Sequence, residues 1–167
     1  MNRHQQKLIT YCYDLLAKRR YSIRDMVKKL EARNNKYETL CTDQELQQIL
    51  ESLCKANLLN DQDYADFYLD WQIRRKPVGK IKIRQQLRLK GIDENLIAQA
   101  FNKAELDEFT LAKKLLAKKA QSYQSQQLKD PKIRARLLRF LASNGYNSAT
   151  SYRALKDLHP NYQSRDS

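Results

Sequence analysis

The chain has three glycines and three prolines in 167 residues, too few turn formers for a protein of many short strands joined by tight hairpins. Its only histidines, His4 and His159, stand near opposite ends, and each reads as a solvated tail residue rather than a base. Cys12, Cys41 and Cys54 are an odd number without CxxC spacing. They fit reduced thiols in a cytoplasm better than a disulfide framework, and they are too dispersed for a zinc site. No apolar run approaches the roughly 18 residues of a membrane span, and MNRHQQKLITYCYD has no apolar signal core. Neither GxxxxGK[ST] nor GxGxxG occurs, so no loop is built to cradle nucleotide phosphates. These absences predict a cytoplasmic chain that is not an enzyme and has no membrane span, catalytic residue, cofactor or metal ligand.

What is abundant is Leu, Lys, Arg, Gln and Ala, all of which favour helix, so an all-α fold is expected. The hydrophobic fraction of 41% is lean for one large core. The net charge is +13. It is spread over every third of the sequence and is greatest from residue 107 onward, which keeps a protein soluble and draws it to polyanions.

The chain reads as three related helical units: 1–59, 60–106 and 107–160, with 161–167 as a tail. In the first, LITYCYDLLAKRR is a helix, Ser22 with Asp25 three residues on caps a second, and Thr42 caps DQELQQILESLCKAN. In the second, a helix from about Asp61 is interrupted at Pro77-Val78-Gly79, resumes to Lys90, stops at Gly91, and is followed by one capped by Asp93. In the third, a helix from Glu108 to about Ser122 precedes a polar loop, Gln121–Lys129, that reads as mobile. Asp130-Pro131 opens the next helix, Gly145 stops it, and Ser148 caps ATSYRALKDL. Equating Leu30, Leu87 and Leu141 also equates Met26, Ile83 and Leu137 four residues earlier, and places Gly91 and Gly145 four residues later. The first unit departs, with Arg33-Asn34 in place of the glycine. A unit of about fifty residues is marginal alone, so the three are expected to stack into an elongated, curved repeat architecture.

From Trp71 to Ile92 there are eight basic residues and no acidic one. On a helix, Lys80, Arg84 and Arg88 fall at i, i+4 and i+8 on one face, a stripe suited to a polyanion. The third unit repeats the excess with Lys113, Lys114, Lys118 and Lys119, then Lys129, Lys132, Arg134, Arg136 and Arg139 against Asp130 alone. The same middle segment carries a resemblance. Leu59-Asn60-Asp61, Tyr64-Ala65, Arg74, Gly79, Ile83-Arg84, Leu87 and Lys90-Gly91-Ile92 stand at the spacings of the RecX family, regulators of the bacterial recombinase RecA. The resemblance implies binding to the RecA–DNA filament in its helical groove. It also implies inhibition of recombinase and coprotease activity, by hindering filament growth or promoting disassembly. Of the matched positions, Asp61, Tyr64, Gly79 and Gly91 read as architectural. The expected contacts to RecA or DNA are Arg74, Arg75, Lys80, Arg84, Arg88 and Lys90, with a second set at Lys132, Arg136 and Arg139, made by a monomer.

Two rival readings attach to the helix after Asn60. Asp63, Asp66 and Asp70 share a face and could hold Mg²⁺ for a nuclease. Acidic residues in a first turn also favour the helix dipole, with Asn60 or Asp61 as cap, and that simpler account is preferred. Tyr64, Phe67, Tyr68 and Trp71, at helical spacing, could stack on bases but read rather as the stripe that packs this helix. The remaining alternative for the whole chain is a stand-alone nucleic-acid-binding protein of helix-turn-helix type, with a middle helix in the major groove.

Overall fold

The structure, a computed structural model, describes residues 2–36, 41–75 and 77–158. Lys76, the polar exit at 37–40, His159 and the tail at 161–167 lie outside the described residues. Among those described, the elements are α1 (Arg3–Lys18), α2 (Ile23–Lys36), α3 (Asp43–Lys55), α4 (Asp61–Arg75), α5 (Lys80–Leu89), α6 (Glu94–Lys103), α7 (Glu108–Ala120), α8 (Pro131–Ser143) and α9 (Ser148–Leu158), with a 3₁₀ turn at Gln127–Lys129. The fold is all-α, as the composition implied.

Local chemistry accounts for most of the helix ends. Asn2 and Gln5 form a reciprocal capping box, so α1 begins five residues before the apolar pattern at Leu8. Thr42 and Glu45 form a second such box at α3. Asp93 Oδ1 accepts from the Asn95 amide at 2.8 Å to cap α6, and Asp130 caps α8 ahead of Pro131 at its first turn. At α9 the cap is Asn147, whose Oδ1 accepts from the Thr150 amide at 2.8 Å, one residue earlier than expected, and Ser148 is the first residue of the helix.

Glycine terminates α5 and α8 in the same way. The Ile92 amide reaches back to Leu87 O at 3.1 Å and the Tyr146 amide to Leu141 O at 3.2 Å, while Gly91 and Gly145 adopt φ of +80° and +86°. This is the left-handed helix end that glycine enters without steric penalty. At α3, Asn57 takes that role with φ +54°, and the Leu58 amide bonds to Leu53 O at 2.9 Å. Among the described residues, α2 runs through Arg33-Asn34 to Lys36.

The chain forms two compact units: Met1–Tyr68 with Leu87–Ala100, and Leu69–Gln86 with Phe101–Ser167. In the first, α1, α2 and α3 pack on one another around Leu8, Cys12, Met26, Leu30, Ile49 and Leu53. In the second, α7, α8 and α9 pack together around Ala112, Leu116, Leu137, Leu141, Ala154 and Leu155. All six side chains equated across the repeats are buried, at 1% exposure or less. The segment after α7, expected as a mobile polar loop, folds into the 3₁₀ turn and buries Leu128 in the second core. None of the described helices is long and apolar enough to cross a membrane.

Candidate functional site

The motif residues meet at two backbone junctions, one in each unit. In the first unit the N-terminus of α2 is tied to the end of α5 and to α4. Ser22 is fully buried; its hydroxyl accepts from the Asp25 amide at 3.2 Å and donates to Lys90 O at 2.8 Å. The Asp25 carboxylate pairs with Lys90 Nζ at 2.7 Å, a bond that raises the ammonium's pKa above its ordinary value. Asp61 does not cap its own helix. Its Oδ1 accepts from the Ile23 amide at 2.9 Å, across the unit, and Asn60 caps α4 by accepting from the Gln62 and Asp63 amides. Burial pushes the Asp61 carboxyl upward, against the Ile23 amide, which favours the anion. Tyr64 stacks on Tyr68 with ring centroids 6.2 Å apart. A Cβ at Gly91 would stand 2.6 Å from the Arg24 side chain, so this junction packs directly on the glycine.

The second junction joins the start of α5 to the end of α8. The Gly79 amide donates to Asn144 O at 2.9 Å and the Ile81 amide to Gly145 O at 3.1 Å. The Lys80 amide donates to Glu108 Oε1 at 2.8 Å. Asp61, Gly79 and Gly91 therefore occupy positions where backbone and helix ends meet, while Tyr64 stacks along α4.

The basic residues divide by their surroundings. Lys80 Nζ and Arg84 Cζ stand 6.0 and 5.8 Å from the centroid of the buried Phe101 ring, which holds two positive charges above an aromatic face. Arg88 pairs with Glu94 at 2.7 Å, Arg74 with Asp70 at 2.9 Å, and Lys90 with Asp25. Three of the eight basic residues of the 71–92 window therefore have carboxylate partners, all from outside it. The acids come from the turn before it, the helix after it and α2, where a window of sequence does not look. Arg75 lies over the Trp71 ring at 5.0 Å. On α8, Lys132, Arg136 and Arg139 are exposed, opposite buried Leu137 and Leu141. Lys114, Lys118 and Lys119, part of the basic excess of the third unit but not among the expected contacts, share one cleft with Arg75. The signal was the i, i+4 pair Lys114/Lys118 beside an apolar stripe.

Two readings of α4 change. Phe67 and Trp71 are 45% and 39% exposed, and the helix packs through Ala65 and Leu69, which are buried. The aromatic spacing described a real face, but one that turns partly outward. The acidic ladder is engaged in local bonds: Asp66 accepts from Gln62 at 2.9 Å and Asp70 holds Arg74. Among the described residues no three His, Cys, Asp or Glu side chains are placed to share a metal ion.

Family models match two stretches of the chain, "RecX, second three-helix domain" over residues 60–100 and "RecX, third three-helix domain" over 106–155. The chain is also 30% identical over 139 residues to the regulatory protein RecX of Haemophilus influenzae strain PittEE, covering 83% of this chain and 86% of that one. The chain belongs to the RecX family. A RecX of Actinobacillus pleuropneumoniae serotype 5b strain L20 is 31% identical over 138 residues, 83% of each chain. A crystal structure of regulatory protein RecX superposes with a TM-score of 0.76 at 29% identity, over 92% of this chain and 72% of that one. RecX from Lactobacillus salivarius, at 18% identity, shares the fold with a TM-score of 0.78 over 93% and 96% of the two chains. The RecX family is one of regulatory proteins, built as an all-α helical repeat, and RecA regulation is its general role.

Proposed function

We propose that this chain binds the RecA–DNA filament and inhibits recombinase and coprotease activity, by hindering filament growth or promoting disassembly. It acts as a monomer of three three-helix units, bounded at residues 59 and 106, in the cytoplasm. The observation that carries the reading is the positive face of α5 in a RecX-family chain: Lys80 and Arg84 are set above one aromatic ring, with Arg88 further along the same helix face. The Arg88–Glu94 pair is about half exposed on both sides, and such pairs contribute at most about 1 kcal/mol, so exchange for a filament contact costs little. Arg74, Arg75, Lys132, Arg136 and Arg139 extend the contact surface. Lys90 serves it through position, since its ammonium is engaged with Asp25. A binder shifts a filament equilibrium only by its differential affinity for one state, so no catalytic group is required.

The test is RecA's single-strand-dependent ATPase with and without this chain, and with the variant carrying Lys80→Glu, Arg84→Glu and Arg88→Glu. The unaltered chain should suppress hydrolysis and the variant should require a far higher concentration. A folded variant that inhibits at the unaltered chain's concentration removes α5 from the mechanism. Unchanged hydrolysis with either protein removes RecA inhibition altogether. Tight binding to naked duplex with sequence preference would instead favour the helix-turn-helix alternative.

A further inference from the structure

A cleft of about 640 Å³ opens in the second unit, within the range of roughly 300–1,000 Å³ typical of small-molecule pockets. Four cationic side chains line it, Arg75, Lys114, Lys118 and Lys119, and no carboxylate does. Its apolar surface is Pro77, Leu115 and Phe140. Lys119 Nζ lies 5.6 Å from the Phe140 ring centroid, so positive charge and a flat apolar surface adjoin. The neighbouring Lys113 is neutralised by Asp157. Among the described residues, no carboxylate pairs with Lys114 or Lys118, and both are exposed.

Lys118 and Lys119 lie in the last turn of α7, where the negative helix end amounts to only about half an elementary charge. Four cations exceed it several-fold, so the cleft remains strongly positive. How densely an anion packs its charge decides which class fits. A nucleoside triphosphate gathers about four negative charges on three adjacent phosphates at neutral pH, since a terminal phosphate is mostly dianionic above its pKa of about 6. A polynucleotide spreads about one charge per nucleotide along its strand. A cleft with room for one nucleotide would then keep most of its positive charge unmatched. Three of the four cations are lysines, whose rotatable donors suit the crowded oxygens of a polyphosphate and lack the fixed fork that selects a planar carboxylate. A purely ionic ligand would leave Phe140, Leu115 and Pro77 uncovered, whereas a nucleobase covers them with its flat face. The Ser122 hydroxyl already donates to Lys119 O at 2.9 Å, so it meets a ligand as an acceptor, the complement of a ribose hydroxyl or a base amino group.

We propose that this cleft binds a single nucleoside polyphosphate, with the phosphate chain on Lys114, Lys118, Lys119 and Arg75 and the base against Phe140, Leu115 and Pro77. Side chains rather than the backbone of a glycine loop form the cradle, so no phosphate-loop pattern marks it in the sequence. Lys80, Arg84 and Arg88 take no part, and neither RecA nor DNA is required.

Trp71 is the only tryptophan, and Arg75 lies over its ring at 5.0 Å, so a ligand that draws on Arg75 changes the emission of Trp71. The experiment is a titration of the full chain with ATP in metal-free buffer, followed by tryptophan fluorescence and independently by calorimetry. AMP should bind about tenfold or more weakly, as lost hydrogen bonds to charged groups imply. Inorganic tripolyphosphate, which has the charge without the base, should bind about fivefold or more weakly, as lost stacking implies. The variant carrying Lys114→Glu and Lys118→Glu should bind ATP about tenfold or more weakly. Phe140→Leu, which keeps most of the core volume, should weaken ATP about fivefold or more and leave tripolyphosphate unchanged. Far-UV circular dichroism verifies that each variant is folded; were one unfolded, the comparison of ATP, AMP and tripolyphosphate on the unaltered chain still decides. The α5 triple variant should bind ATP as the unaltered chain does, so this proposal and the α5 reading fail separately. Absence of saturable ATP binding overturns the proposal, as does unchanged ATP affinity in the Lys114/Lys118 variant. Equal affinity for ATP and tripolyphosphate overturns it too, since the cleft would then hold any polyanion and not a nucleotide.

Discussion

Gly79→Ala should destabilise the second unit severely, although alanine is the smallest side chain available. A Cβ at position 79 would stand 2.1 Å from Gly145 O, 2.2 Å from its carbonyl carbon and 2.5 Å from the Tyr146 amide nitrogen. Non-bonded carbons rest about 3.5–4.0 Å apart, so the two backbones must separate by more than about 1 Å. Backbone is what blocks the methyl, and no rotamer change relieves it. Separation also stretches the Gly79–Asn144 and Ile81–Gly145 hydrogen bonds, now 2.9 and 3.1 Å. Overpacking costs about 1–3 kcal/mol and each lost bond about 1 kcal/mol. The lower entropy of the unfolded alanine chain returns about 0.4–1 kcal/mol. The net expectation is about 2–4 kcal/mol, read as the urea midpoint shift at unchanged m-value by far-UV circular dichroism. Gln85→Ala on the exposed face of α5 is the control and should stay within about 0.5 kcal/mol. If Gly79→Ala matches that control, the backbone crossing is not as close as described and the architectural role of Gly79 fails.

Leu87, fully buried on α5, should cost about 2–5 kcal/mol on truncation to alanine, measured in the same denaturation experiment. Burial pushes the Cys12 thiol up to about 11, so a thiol reagent at neutral pH should modify the partly exposed Cys54 first and reach Cys12 only on unfolding. Lys90→Met removes the partner of Asp25 and should lower stability by roughly 1 kcal/mol or less, since the pair is partly exposed and screened. Because the folded ammonium has the higher pKa, this contribution is fully present below the unfolded value of about 10.5 and is lost as pH rises through the folded one. The difference in melting temperature between Lys90→Met and the unaltered chain should therefore close only in strong alkali; closure near pH 7 would show that the pair contributes nothing.

Much of the fold was legible because its signals are local. Thr42 with Glu45, Asp130 before Pro131, and glycines four residues past Leu87 and Leu141 each act within one turn of helix, and each does what its spacing implied. The equivalence of Met26, Ile83 and Leu137 was visible for the same reason, since a buried helical stripe repeats in sequence. What was hidden depends on partners far along the chain. Asn60 and Asp61 both looked able to cap α4; Asn60 does so, and Asp61 instead accepts from the Ile23 amide 38 residues back, a partner no local pattern reveals. The acidic partners of Lys90 and Arg88, Asp25 and Glu94, lie outside the 71–92 window. On α4, aromatic size outweighed position: Ala65 and Leu69 face the core while Phe67 and Trp71 turn partly to solvent.

The fastening of α2 to the end of α5 sets a timetable for biosynthesis. The Ser22 hydroxyl waits for a carbonyl 68 residues further on, and the Ile23 amide for a carboxylate 38 residues on. At about 5–20 residues per second, the second partner is made about 2–8 s after Ile23, and the first about 3–14 s after Ser22. A helix forms in about a microsecond or less, so α1 and α2 are ready long before the groups that lock their junction exist. Through that interval the start of α2 relies on local bonds to Ser22, the Asp25 amide to its hydroxyl and the Met26 amide to its carbonyl. The first unit thus becomes complete only when the ribosome has delivered residues beyond the middle of the chain, and a nascent chain stalled before Lys90 would expose an unlocked α2 to chaperones and proteases.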